Sequence, residues 1–378
     1  MFIAASGFAQ WIQQTSGTTN QLNSVYFTAP DTGYIVGNYG TILKTCNGGV
    51  NWITQTSATT NPLESVYFTS PDTGYAVGYA GTILKTINSG ITWTALSSGT
   101  NYMLWSVYFT NANNGYAVGS GGTILKTNDA GNSWISQSSG TTNNLSSMYF
   151  TCVDTGYIVG GNSTMLKTIN GGTTWTPLAG GSAYFSSVYF TDANTGYAVG
   201  YPGTILKTSN GGTNWIAQTS GITNNLYSVY FTNANTGYAV GLNGTILKTS
   251  NAGANWSIQT SGTTYHLHSV YFTAPDTGYT VGNNGTIRKT TNGGIGIEEN
   301  QLPESAINIF PNPTNDNLTI ETPAKSTIEI LNIQGQIIKT INTAEKQTTI
   351  DVSNLSGGVY ILKAKTERRV AVKKFIKE

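Results

Sequence analysis

Ser24-Val25-Tyr26-Phe27-Thr28, Gly33-Tyr34-Ile35-Val36-Gly37, Thr41-Ile42-Leu43-Lys44-Thr45 and Trp52-Ile53-Thr54-Gln55 are four short runs whose reading decides the fold. Each is apolar or alternating and is bounded by Gly, Asn, Asp or Pro, which is the pattern of a short strand between turns. The set recurs. The first run returns at Val66, Val107, Met148, Val188, Val229 and Val270. The tryptophans Trp11, Trp52, Trp93, Trp134, Trp175, Trp215 and Trp256 stand 41, 41, 41, 41, 40 and 41 residues apart. A period near 40 with four strands per unit is a propeller blade.

The phase of the repeat matters as much as its period. The first three runs occur seven times, and so does the tryptophan run, but the latter opens the chain at Trp11. The last copy of the third run, Thr286 to Thr290, is followed by Asn292-Gly293-Gly294-Ile295 without a tryptophan. The opening strand, Trp11 to Gln14, is therefore expected to complete the last blade and close a seven-bladed ring without an open edge. A linear solenoid needs no such shift and would carry polar caps instead.

Composition agrees with an all-β chain. Of 378 residues 38% are apolar and only 9% are charged, with 45 glycines and 22 tyrosines. Long helices favour Ala, Leu, Glu and Lys, whereas Tyr, Val, Ile and Thr between Gly/Asn turns favour strands. A net charge of +1 provides no field for phosphates, so nucleic acid is excluded as a partner. No stretch reaches the roughly 20 apolar residues that span a bilayer. Cys46 and Cys152 occupy non-equivalent positions, so neither a disulfide nor a zinc site is expected. The first ten residues, MFIAASGFAQ, read as the end of a secretory signal peptide, with small Gly7 and Ala9 before Gln10.

Recurrence separates structural residues from candidates for function. The turn before the second strand carries Asp31, Asp72, Asn113, Asp154, Asn194, Asn235 and Asp276. Acid and amide exchange freely there, as an Asx turn allows and a catalytic carboxylate would not. Lys44, Lys85, Lys126, Lys167, Lys207, Lys248 and Lys289 also recur in every unit. They are expected to lay their stems along the sheet and keep their ammonium groups in water. Each tryptophan ring buried between blades contributes about 4–6 kcal/mol as an upper bound, from its area.

The turn Thr45-Cys46-Asn47-Gly48-Gly49-Val50-Asn51-Trp52, and its copies Thr168 to Trp175 and Thr127 to Trp134, resemble the Asp-box hairpin of BNR-type propellers. Most copies carry Asn where the Asp-box has Asp. Together with Gly-Tyr-x-Val-Gly and Gly-Thr-Ile-Leu-Lys-Thr, residues 11–294 resemble the photosystem II stability/assembly factor-like propellers. Fold does not fix activity. Sialidases share the Asp-box, but their arginine triad cannot be assembled, since Arg288 is the one arginine of residues 11–294.

Charge density changes near Ile297. The last 81 residues hold ten acidic and ten basic residues, against 15 charges in the preceding 297. Short alternating runs, among them Ile307 to Phe310, Thr327 to Ile330 and Val359 to Leu362, predict about seven strands in a small Ig-like β-sandwich. This segment is similar to the C-terminal sorting domain of the type IX secretion system. The motifs are Phe310-Pro311-Asn312-Pro313, Ile333-Gln334-Gly335-Gln336, Leu355-Ser356-Gly357-Gly358-Val359-Tyr360 and Lys373-Lys374-Phe375-Ile376-Lys377. The resemblance implies export across both membranes of a Gram-negative cell, with removal of the domain and release or lipopolysaccharide anchoring of the rest. Pro311, Asn312, Pro313, Gly358, Tyr360, Lys373 and Lys374 are its sorting residues. The expected organisation is a signal remnant at 1–10, a propeller at 11–294, a linker at 295–304 and a sorting domain at 305–378.

Little remains once the repeat consensus is subtracted. Just before the recurring serine of the first strand stand Asn23, Glu64, Trp105, Ser146, Ser186, Tyr227 and His268. The loop after the second strand varies at Tyr39, Tyr79, Gly121, Asn162, Tyr201, Leu242 and Asn284. Both loops emerge on one face of a propeller. The two sets predict a shallow ring of aromatic and amide groups with one acid, suited to a glycan or an extended peptide. Asn23, Tyr39, Glu64, Tyr79, Trp105, Tyr201, Tyr227 and His268 are its principal members. His266 and His268 lack further metal ligands, and Glu64 lacks a second carboxylate for glycoside hydrolysis. The reading is a monomeric, non-catalytic secreted binding module without cofactor or metal. A glycan-active hydrolase and a surface protein without ligand are the alternatives.

Overall fold

The computed structural model describes residues 11–294, 307–322, 326–332, 336–343, 345–365 and 370–378. The expected leader at 1–10 and linker at 295–304 lie outside the described residues. The chain divides into two units, Met1–Gly294 and Ile295–Glu378.

The first unit holds seven four-stranded antiparallel sheets, in agreement with the repeat. Blade 1 runs Leu22–Phe27, Gly33–Gly37, Ile42–Thr45, Ile53–Gln55 from the inside outward. Blade 7 is built from Leu267–Phe272, Gly278–Gly282 and Ile287–Thr290, and its fourth strand is Ile12–Gln14. The register pairs Ile12 with Lys289, Gln13 with Arg288 and Gln14 with Ile287. The phase shift in the sequence thus becomes a seam closed by main-chain hydrogen bonds.

Each core lies between two blades. Tyr279, Val281 and Ile287 of blade 7 pack with Leu22, Val25, Phe27 and Trp52 of blade 1, and the other six interfaces repeat the scheme. At every interface a second-strand tyrosine stacks on the first-strand phenylalanine of the next blade, with centroids 4.0–4.5 Å apart. The tryptophan meets that phenylalanine edge to face at 5.9–6.1 Å. The Nε1 atoms of these seven repeat tryptophans are buried without a hydrogen-bond partner. That desolvation offsets part of the apolar gain of each ring, by about 1–3 kcal/mol.

The recurring lysines differ from expectation. The side chains are half-buried, and their ammonium groups are bonded within the protein rather than left free. Each donates to a carbonyl in the Asp-box turn of the next blade at 2.6–2.8 Å and lies 5.3–5.7 Å from the centroid of its own blade's second-strand tyrosine. The tyrosine hydroxyl donates to the same carbonyl, as Tyr34 and Lys44 both do to Ser89. The Asp/Asn turn differs too. In blades 3, 5 and 6 the side chain that caps the turn belongs to Asn111, Asp192 or Asn233, two residues before the expected one. The expected residues instead offer main-chain carbonyls, as Asp31 does to the Gly48 N–H.

The inner strands surround the axis. Tyr26, Tyr67, Tyr108, Tyr149, Tyr189, Tyr230 and Tyr271 form a closed collar there, with neighbouring centroids 5.0–5.8 Å apart. Burial raises the pKa of all seven phenols.

The second unit has seven described strands in two sheets. Asn308–Phe310, Asn317–Glu321 and Gln347–Asp351 form one. Ile337–Thr343, Ser326–Leu331, Gly358–Lys365 and Val370–Lys377 form the other. Leu318, Ile320 and Ile350 of the first sheet share a core with Ile328, Ile330, Leu362 and Phe375 of the second.

Candidate functional site

The face of the propeller is made by a local break in register. Every inner strand carries a β-bulge two residues before its valine or methionine, between Leu22 and Ser24 in blade 1 and at the equivalent place elsewhere. The extra residue has no pairing partner and its side chain is re-aimed. That residue is Asn23, Glu64, Trp105, Ser146, Ser186, Tyr227 or His268. The neighbouring second strand ends in a glycine because nothing else fits. A Cβ on Gly37 would lie 2.1 Å from the Gln21 carbonyl oxygen.

The turn after the second strand has two distinct positions. The first faces the bulge. Asn23 Nδ2 donates to Asn38 Oδ1 at 3.3 Å, Trp105 Nε1 donates to Ser120 Oγ at 3.1 Å, and His268 Nε2 lies 2.7 Å from Asn283 Oδ1. The second position takes positive φ, 56° at Tyr39 and 48° at Asn162, and turns toward the loop entering the next blade. There Gly121 N donates to Asn144 Oδ1 and Asn243 N to His266 Nδ1, whereas Asn162 Nδ2 turns back to Asn143 Oδ1 in the loop entering its own blade. Tyr79, Tyr201 and Leu242 hold the first position. Tyr39, Gly121, Asn162 and Asn284 hold the second, so Tyr39, 75% exposed, does not stand beside Asn23. Asn38, Ser120 and Asn283 are the partners that the sequence reading missed, although counting from Gly37 and its equivalents would have found them.

Three blades contribute a continuous aromatic arc. Tyr184 stacks on Tyr201 at 5.0 Å, Tyr201 meets Tyr227 edge to face at 5.7 Å, and Tyr227 lies 5.2 Å from His268. Ser146 of blade 4 extends it, donating to the Tyr184 hydroxyl oxygen at 3.3 Å. Tyr184 was not singled out from sequence, because it precedes the bulge in one blade only.

The opposite side is unlike the arc. Asn23 is buried, accepts from Gln21 Nε2 and donates to the Leu63 carbonyl, so it joins blades 1 and 2 and offers nothing to a ligand. Glu64 is half-buried and has no hydrogen-bond or ion-pair partner among the described residues. Burial pushes its carboxyl up to about 7. Burial lowers the pKa of His268, against the opposing hydrogen bond that its ring N–H donates to Asn283 Oδ1. Burial also raises Tyr201 and Tyr227. Near neutral pH the arc is therefore uncharged. His266 and His268 serve different partners, Asn243 and Asn283. Among the described residues no three His, Cys, Asp or Glu side chains gather as a metal site would require.

In the second unit the first and last sorting motifs meet. Asn312 Nδ2 donates to the Lys374 carbonyl at 3.1 Å, and Ile376 N donates to Asn312 Oδ1 at 2.9 Å. Pro311 and Pro313 flank that contact in sequence. Tyr360 stacks on Phe375 at 5.5 Å and donates to the Ser356 carbonyl, while Gly358 begins its strand at φ 158°. Lys373 is half-buried and Lys374 exposed. Ile333, Gln334 and Gly335 lie outside the described residues.

Comparison with known proteins agrees with both units. The family model described as photosynthesis system II assembly factor YCF48 matches residues 3–101, 54–139, 91–178 and 136–219. The model described as a secretion system C-terminal sorting domain matches residues 308–378. No curated protein matches the chain. Among solved structures, YCF48 from Cyanidioschyzon merolae is similar at 19% identity and a TM-score of 0.64, covering 74% of this chain and 98% of that one. A YCF48 bound to D1 peptide gives 18% and 0.66, covering 75% and 96%. The WD40 beta propeller domain of Doa1 gives 12% and 0.63, covering 74% and 96%. At these identities the structures share the fold alone. The overlapping family matches span more than half of the sequence, and the chain belongs to the photosynthesis system II assembly factor YCF48 family, with a secretion system C-terminal sorting domain at its end.

Proposed function

We propose that the propeller is a secreted, non-catalytic module that holds an extended peptide across the bulge face, and that the C-terminal domain delivers it through type IX secretion to the outer cell surface. The observation that carries the reading is the arc from Ser146 through Tyr184, Tyr201 and Tyr227 to His268. Its rings are fixed by one another and by Asn283, so they offer stacking planes at little cost in side-chain entropy. Peptide is favoured over glycan because one similar propeller has been solved with a bound peptide. Hydrolysis is disfavoured because Glu64 stands without a second acid.

Peptide-array binding by the full chain tests the ligand. Tyr201→Ala and Tyr227→Ala should each weaken retained peptides by about tenfold, one hot-spot truncation. Ile135→Ala on the outer rim should not. Raising salt should change little, since the arc is uncharged. Retention that survives the double tyrosine variant would remove the reading. Removal of residues 305–378 should abolish surface delivery, scored by fractionation of the cells; continued surface display would refute the export role.

A further inference from the structure

We propose that the axial channel is a second binding site, separate from the bulge face, in which the tyrosine collar takes a small organic cation, an alkylated or quaternary ammonium group.

Neighbouring collar planes meet at 44–51°. Successive blades of a seven-fold ring are rotated by about 51°, so each plane stands nearly parallel to the axis. Each ring also reaches sideways. In six of the seven the hydroxyl donates to the phenylalanine carbonyl of the next blade, at 3.0–3.2 Å. A plane that contains both the axial and the sideways direction turns its face to the channel. The burial agrees: all seven tyrosines are only half-buried although those hydroxyls are engaged. The exposed part is the π-face.

Size and charge then select the occupant. Centroids with this spacing on a closed ring of seven lie about 6 Å from its axis, the reach of a cation–π contact. Allowing for the half-thickness of the rings leaves a bore of roughly 4 Å radius, room for a trimethylammonium head leaning on two or three faces. The negative faces disfavour an anion. The levels above and below are hydroxyls that are already engaged. Ser24 and Ser65 accept from Val66 and Val107, and Thr28 donates to Thr32. Among the described residues no charged side chain of the inner strands stands at these levels. The acids nearest to collar residues in sequence are Glu64, three residues before Tyr67 and about 10 Å along the strand, and Asp192, three residues after Tyr189 in the turn beyond the other end of the strand.

Calorimetric titration of the full chain with tetramethylammonium and choline tests the assignment, with 3,3-dimethylbutanol as the neutral analogue and sodium chloride at matched ionic strength. Both ammonium ions should bind saturably, and the neutral analogue about tenfold more weakly or not at all. Tyr67→Leu with Tyr189→Leu should abolish binding, whereas Tyr67→Phe with Tyr189→Phe should keep it within about threefold, because the π-face survives loss of the hydroxyl. Equal binding of the neutral analogue, absence of saturable binding, or unchanged affinity in a folded leucine variant would each overturn the proposal. Should the leucine variant not fold, the comparison of choline with its neutral analogue on the unaltered chain still decides. Peptide binding at the bulge face is measured separately and does not bear on this outcome.

Discussion

The ammonium group of Lys289 donates to the carbonyl of Gly48 at 2.6 Å, joining the last blade to the first across 241 residues of sequence. Tyr279 donates to the same oxygen at 2.7 Å. The seam is thus held by the same pair of donors as the six continuous interfaces. Lys289→Met should cost about 1–2 kcal/mol, a hydrogen bond to a charged group discounted for its half-exposed site. Lys126→Met should cost the same, because its contact with Gly171 is equivalent. Urea midpoints measure both, and a null result for the pair would show that the clip adds nothing.

Trp11 tests the strand that comes from the other end of the propeller sequence. It is fully buried against Tyr238 and Phe272. Trp11→Ala should cost about 3–5 kcal/mol, as for other large core truncations. Trp134→Ala, in a strand joined to its own blade, provides the reference. A loss no larger than that of an exposed residue such as Ile53→Ala would argue against the closed seam.

Glu64 sets a pH dependence. Its carboxyl is held at about 7 against an ordinary 4.5, so the folded chain binds this proton more tightly than the unfolded one. The contribution is fully present below about pH 4.5 and is lost as pH rises through about 7. Glu64→Gln should flatten that slope and gain up to about 3 kcal/mol at pH 8 relative to the parent. Denaturation curves at pH 5 and pH 8 report the difference, and parallel shifts at both would contradict the assignment.

The Asp-box turn depends on its threonine more than on its acid. Thr168 is buried, accepts from Gly172 N and Asn170 N, and donates to Asn170 Oδ1. Thr168→Val would leave the Gly172 N–H buried without an acceptor, at about 1–3 kcal/mol. Asp129 is exposed, and its Oδ1 accepts from Thr127 and Ser133 N as the amide oxygens do in other blades. Asp129→Asn should leave the melting temperature unchanged, and a clear drop would show that the charge matters.

The ring was legible because its two signals are local: a tryptophan period, and a phase shift that only closure explains. The lysine ends were not legible, since their acceptors are carbonyls of another blade brought close by packing. The face was legible as a set of variable positions but not in detail. The bulge gives Asn23 to the joint between blades, and one step along the turn separates Tyr39 from Asn38. The collar was hidden for a different reason. Tyr26 and its equivalents are identical in every blade, so subtracting the consensus discards them, although a ring of identical residues can itself make a site.

The pairing of Ile12 with Lys289 also decides what survives a cut. Every strand of the seven blades lies between Ile12 and Thr290, and the outermost strand of blade 7 is supplied from upstream of blade 1. Proteolysis beyond Gly294 therefore takes away none of the described strands of the seven blades, and the ring it leaves keeps all of its own described ladders.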